Sequence, residues 1–216
     1  TPSTMKFDLT NETGVCDTVR VLKNITGLWL VQECRRTWES EGVALSYDQL
    51  TRMAEKAPPF SGIIDPDDIS FLLPGNMPAR IYDYCKKTNQ RLSEGRGILI
   101  RTILESLALR YRMALVNLEK ALKKTINTLH IVGGGSKNRL LNQLTSNAIK
   151  RPVIVGPVEA TAAGNILMQM LAQGEIDSLQ QGRKLIRRSF KLEIYYPEDT
   201  DTWDVIYTRF LKLLTQ

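Results

Sequence analysis

Residues 128 to 172 constrain this chain more than any other stretch. Thr128-Leu-His-Ile-Val132 is a short apolar run that stops at Gly133-Gly134-Gly135, and a helical stretch over 138–149 follows. Pro152-Val-Ile-Val155 then stops at Gly156-Pro157, ahead of a second helical stretch over 161–172. Two strand–loop–helix units this close together require neighbouring parallel strands joined by a right-handed crossover. Both runs are β-branched and mostly unalternating, the pattern of strands covered on both faces. The class is therefore α/β, and His130, inside the first run, is expected as a satisfied core histidine.

In an open parallel sheet, ligands bind beyond the carboxyl ends of the strands. Two such ends, at Gly133 to Gly135 and at Gly156-Pro157, should line one crevice. Three successive glycines leave bare backbone that a flat ligand can approach closely. The bland alternative is a tight strand-to-helix turn with no ligand. A dinucleotide fingerprint would need glycine at 138, where Asn138 stands, and no Gly-Lys-Ser/Thr is present for a phosphate loop. Glu159 to Gly164 opens the next helix with small side chains, suited either to close helix–sheet packing or to a planar ring.

The longest element is expected over 94–124. Ile100, Leu104, Leu107, Tyr111, Leu115, Leu118 and Leu122 recur at helical spacing, and Ile103, Leu109, Met113 and Val116 widen the stripe. That breadth predicts a core helix buried on more than one side, in preference to a partner-binding one. Ahead of it, Thr1 to Gly14 reads as turn-rich, 18–22 as a short strand and 25–39 as a helix. Ser46 caps a helix over 47–56 that Pro58-Pro59 ends. Residues 60–78 form a loop with fixed bends, and a helix over 79–87 follows. Beyond Ser178 the reading is amphipathic helices with a break at Pro197.

Several function classes fall away. No apolar run approaches the ~18 residues of a membrane span, so no membrane partner is expected. The net charge of +6 is modest, and the run Arg183, Lys184, Arg187, Arg188 is broken by Leu185 and Ile186. That is a solvated helix face, and nucleic acid is not an expected partner. Cys16, Cys34 and Cys85 form no CxxC and fit reduced thiols of a cytoplasmic protein with no bridge in this chain. Two Asn-x-Thr acceptor patterns, at Asn11 and Asn24, have no other sign of secretion beside them. A single histidine rules out His-rich metal sites, and no GxSxG is present. Asp65, Asp67 and Asp68 cluster, but Pro66 breaks a calcium-loop reading and leaves a solvated, capped turn. A chain that opens on Thr1 reads as a piece of something longer.

Three blocks carry a resemblance. They are Val19-Arg-Val-Leu-Lys-Asn-Ile-Thr-Gly-Leu-Trp-Leu-Val-Gln32, Leu129-His-Ile-Val-Gly-Gly-Gly-Ser-Lys-Asn-Arg-Leu-Leu141 and Arg151-Pro-Val-Ile-Val-Gly-Pro-Val-Glu-Ala-Thr-Ala-Ala-Gly-Asn-Ile166. In this order they resemble the carboxy-terminal lobe of the FGGY carbohydrate kinases, and Glu105-Ser-Leu-Ala-Leu109 before Tyr111 also fits one branch of that family. The resemblance implies an actin-like ATPase (RNase H-like) fold and phosphoryl transfer from Mg-ATP to a sugar hydroxyl. It implies that residues 1–216 are one carboxy-terminal, nucleotide-binding domain. Carried over by position, Gln32, Gly133, Gly134, Gly135, Ser136 and Asn138 would serve ATP, and Asn24 would touch the sugar. The aspartate general base, the first phosphate loop, most Mg²⁺ contacts and the first strands of the lobe would lie in an amino-terminal part outside this chain. The chain alone is therefore expected to be inactive, with no catalytic residue of its own, and an open sheet edge could be covered by a second copy. The stretch Leu22 to Trp29 favours one sugar-specific branch over kinases of xylulose or glycerol. A non-catalytic module that kept the lobe is the alternative from another class.

Overall fold

The computed structural model describes residues 6–215. Its body is helical and is organised around α4 (Arg96–Leu122), which buries residues on every side between Leu99 and Leu109. The broad apolar stripe of the sequence is the cause. Gly95, at φ 150°, ends the preceding loop, and Lys123 closes α4 in the left-handed region. Around it pack α1 (Trp29–Ser40), α2 (Tyr47–Lys56), α3 (Met77–Lys87), α5 (Arg139–Ile149) and α8 (Thr200–Leu213). Leu30, Trp38, Phe71, Ile81, Leu104, Trp203 and Phe210 share the resulting core. Ser46 caps α2 as expected, in a reciprocal capping box with Gln49.

A three-stranded sheet lies against the far end of α4. In it β3 (Leu129–Ile131) runs parallel to β4 (Val153–Val155), with Leu129 opposite Val153, as the sequence requires. A second core of Leu115, Ile149, Val153 and Val155 sits beneath it. Three expectations fail here. The stretch beyond Ser178 is not helical throughout, because β5 (Glu193–Tyr195) adds antiparallel to β4 there. Residues 10–13 are not simply turn-rich: β1 (Thr10–Thr13) pairs with β2 (Val19–Leu22) in a hairpin apart from that sheet. Finally, β3 is not covered on both faces. Its only partner among the described residues is β4, and His130 is exposed, not a core histidine.

Two helices follow β4: α6 (Ala160–Ala172) and α7 (Leu179–Ser189). No residue of α6 is buried, so its small-residue start does not pack closely on the sheet. The basic run of α7 is solvated, as expected. The aspartate turn is capped but not solvated. Asp68 caps the short 3₁₀ helix Ile69–Phe71, Pro66 is buried, and Asp67 turns inward to Arg110. Cys34 and Cys85 are buried free thiols and Cys16 is exposed. Burial pushes the Cys85 thiol up to about 11, which keeps it protonated and inert at neutral pH.

The turn into β3 hangs on Glu119 near the end of α4. Its Oε1 accepts from the Ile126 amide at 2.7 Å and from Arg151 Nη1 at 2.7 Å, and its Oε2 accepts from Arg151 Nη2 at 3.1 Å. The Arg151 bonds, then the amide, hold this carboxyl below the usual glutamate value. A depressed folded pKa stabilises above the unfolded value of about 4.3, and that contribution is lost as pH falls through the folded one. Glu119→Gln should therefore lower stability at pH 7, and its deficit relative to the parent should shrink below about pH 4. Urea melts at pH 7, 5 and 3 measure this; a pH-independent deficit would contradict it.

Candidate active-site cleft

A cavity of about 1140 Å³ opens between the two halves of the fold. Its floor is α4, through Ile100, Tyr111, Leu115 and Leu118. One wall is the segment Lys23, Ile25, Gly27 and Leu28, continued by Val31 and Gln32 of α1. The facing wall is the free side of β3, the glycine loop, and Asn138, Leu141 and Asn142 of α5. The size exceeds a typical small-ligand pocket of roughly 300–1,000 Å³, and the mix of apolar floor and few polar groups is usual for one.

The glycine loop is held rigidly from behind. Gly133 has φ +82°, a conformation that L side chains rarely adopt, and its N–H donates to Pro157 O at 3.1 Å. Gly156 N–H donates to Ile131 O at 2.8 Å, so the two strand ends are bound to each other. Ser136 is buried, and both its amide (3.1 Å) and its hydroxyl (2.6 Å) donate to Gly133 O. Its own carbonyl accepts from Asn142 Nδ2 at 2.8 Å. Asn138 caps α5, its Oδ1 accepting from the Leu141 amide at 2.9 Å. From the front the loop is bare: a Cβ added to Gly134 or Gly135 would meet no protein atom within 4 Å.

The structure brings together four of the residues singled out in the sequence, namely Gln32, Gly134, Gly135 and Asn138, all on the cavity. Gly133 and Ser136 stand behind the loop and shape it. Asn24 is exposed between Lys23 and Ile25, which line the wall. Sequence reasoning missed His130, Lys137, Tyr111 and Asn142 as lining residues. Asn142 was within reach, because it lies four residues after Asn138 and so shares its helix face. It is also almost fully buried, and its Oδ1 has no partner. Open glycine space, an apolar floor for a flat base and a rim with Gln32, Lys137 and Asn138 suit a nucleotide. Among the described residues no three His, Cys, Asp or Glu side chains converge to hold a metal ion.

The C-terminal domain of the FGGY family of carbohydrate kinases matches residues 4–173. The chain is 46% identical over 210 residues to a rhamnulokinase of Bacteroides thetaiotaomicron, covering 97% of this chain and 42% of that protein. It is 45% identical over 195 residues to a rhamnulokinase of Enterococcus faecalis, covering 89% and 39%. The chain thus spans about two fifths of the length of these relatives. The fold matches the xylulose kinase of Rhodospirillum rubrum with a TM-score of 0.68 at 18% identity, over 96% of this chain and 42% of that one. It also matches the glycerol kinase of Plasmodium falciparum solved with ADP, with a TM-score of 0.64 at 17% identity, over 96% and 41%. The architecture is that of the carboxy-terminal lobe of these actin-like kinases, and the chain belongs to the FGGY family of carbohydrate kinases.

Proposed function

We propose that this chain is the nucleotide-binding lobe of a rhamnulokinase, which transfers the γ-phosphoryl group of ATP to L-rhamnulose and gives L-rhamnulose 1-phosphate. The observation that carries the reading is the bare face of Gly134 and Gly135, open to a cavity with Gln32 on its opposite wall. The choice of sugar rests on the rhamnulokinase relatives and on the segment Leu22 to Trp29.

In this reading the glycine loop lies against the nucleotide, with Gly133 and Ser136 fixing its shape. Gln32 and Asn138 present polar groups from the two walls, and Asn24 faces the sugar. The apolar floor excludes water from that side. Mg²⁺ carried by the phosphates would supply charge stabilisation to the transferring group. The remaining contacts and the general base belong to the part of the protein outside this chain, and phosphoryl transfer depends on positioning from both sides. Residues beyond 173 belong to the same lobe in this reading, because Trp203 and Phe210 of α8 are buried in the main core. The setting is cytoplasmic, in keeping with free cysteines and with the absence of a membrane-length apolar helix among the described residues.

The test is ATP-dependent phosphorylation of L-rhamnulose by the full-length protein that carries this chain, with the chain alone beside it. Turnover by the former and none by the latter is expected. Preferential turnover of xylulose or glycerol would replace the sugar assignment. Inactivity on all three would leave a non-catalytic nucleotide module.

A further inference from the structure

The wall that carries Asn24 has no regular structure of its own between residues 23 and 27. Side chains hold it at three points. Lys23 is ion-paired with Asp8. The Thr26 amide donates to Asp67 Oδ1 at 2.7 Å. Trp29, at the start of α1, donates from Nε1 to Phe71 O at 3.1 Å. Asn24 is exposed between the first two anchors.

The middle anchor is the strongest. Asp67 Oδ2 accepts from Arg110 Nε at 2.7 Å and is ion-paired with Nη2 at 2.7 Å, so the carboxylate bonds the wall through one oxygen and α4 through the other. The Asp67 and Arg110 side chains are 21% and 13% exposed, which limits screening. Charge-assisted bonds of this kind are shorter and stronger than neutral ones. Arg110 also faces Asp65 and Asp8, so its cation offsets more than one carboxylate. Its neighbour Tyr111 lines the cavity floor. One ion pair thus couples the floor helix to the irregular wall across 43 residues of sequence.

We infer that the Asp67–Arg110 pair positions the Lys23–Gly27 wall, and with it Asn24, for the sugar; both are positioning residues. The inference rests on the reading of Asn24 as a sugar contact. The experiment uses the full-length protein with Asn24→Ala, Asp67→Ala and Asp67→Asn, and it measures KM for sugar and for ATP and amide exchange at Thr26. Asn24→Ala and Asp67→Ala should each raise the sugar KM about tenfold, a loss of ~1.4 kcal/mol, with the ATP KM within about twofold. Thr26 exchange should quicken at least about tenfold in Asp67→Ala while α4 amides stay protected, a change on the scale of one lost hydrogen bond. Asp67→Asn keeps the acceptor for Thr26 and should recover part of both effects.

If Asn24→Ala raises the sugar KM and Asp67→Ala does not, the inference is overturned and the reading of Asn24 stands. If neither changes it, the reading of Asn24 falls and the inference falls with it. Equal rises in both KM values, or α4 amides exposed together with Thr26, would mark Asp67 as a general stabiliser and overturn the positioning role.

Discussion

Gly134→Val in the full-length protein should weaken nucleotide binding by at least about a hundredfold, equivalent to ~2.7 kcal/mol, and leave folding almost untouched. The two effects separate because of what surrounds the position. Gly134 opens the 3₁₀ turn that ends at Lys137, and a Cβ there meets no protein atom within 4 Å. Nothing inside the chain is displaced by the new side chain, and changes at such places alter stability by about 0.5 kcal/mol or less. The space it fills is the space a nucleotide would need. Gly133→Ala makes the opposite case. Its surroundings are equally open, but its φ of +82° and ψ of −168°, a conformation essentially reserved for glycine, would cost an L residue about 1–3 kcal/mol. Gly133→Ala should therefore lower the melting temperature, and Gly134→Val should not. Calorimetric titration with ATP and thermal melts of both variants measure this. If Gly134→Val binds ATP normally, the glycine loop is only a turn.

The two strand–glycine–helix units were legible because each short apolar run stops at glycine just ahead of a helical stretch. Legible too were α4, whose apolar positions track contact on several sides, and α2, whose cap is local chemistry. What escaped was structure without such a pattern. Thr10–Thr13 is a strand with all four residues exposed, so no alternation marks it. Glu193–Tyr195 is three residues long and exists only because β4, some forty positions earlier, offers an edge. Helix α1 starts at Trp29 and not at Ile25, and residues 23–27 before it run without regular structure, the Thr26 amide bonded to Asp67. His130 misled because an apolar run was read as buried on both faces, when His130 is exposed and lines the cavity.

The site was legible to a similar depth. Glycine in triplicate marks bare backbone whatever the fold, and that backbone does line the cavity. The wall opposite, from Lys23 to Gln32, could not be placed there by any local rule; only the resemblance paired it with the loop. Polar residues within the loop divide by commitment. The hydroxyl of Ser136 and the carbonyl of Asn138 are spent on the loop and the helix cap, which leaves their outward chemistry to the Asn138 amide nitrogen.

The Glu105-Ser-Leu-Ala-Leu109 block earns its place through packing, and the largest stability effect in the chain should come from its first residue. Glu105 is fully buried. Its Oε1 accepts from Arg101 Nε at 2.7 Å, and its Oε2 accepts from the Phe60 amide at 2.8 Å. Arg101 reaches on to the carbonyls of Ala54 and Glu55 at the end of α2. Phe60 sits at φ 54°, and its ring meets Trp203 of α8 edge-on at 5.0 Å. One carboxylate therefore ties α4 to the end of α2 and, through Phe60, to α8. Burial raises its pKa, against the pull of Arg101 and the Phe60 amide. Glu105→Ala would strand a mostly buried guanidinium and an amide, a change that typically costs about 3–5 kcal/mol. Pairing it with Arg101→Met removes the stranded charge but not the orphaned Phe60 amide, so about 1–3 kcal/mol should remain. Urea unfolding of the two variants and the parent measures both steps. If the double variant is no more stable than Glu105→Ala, the cost lies in the Phe60 turn and the lost volume, not in the buried charge.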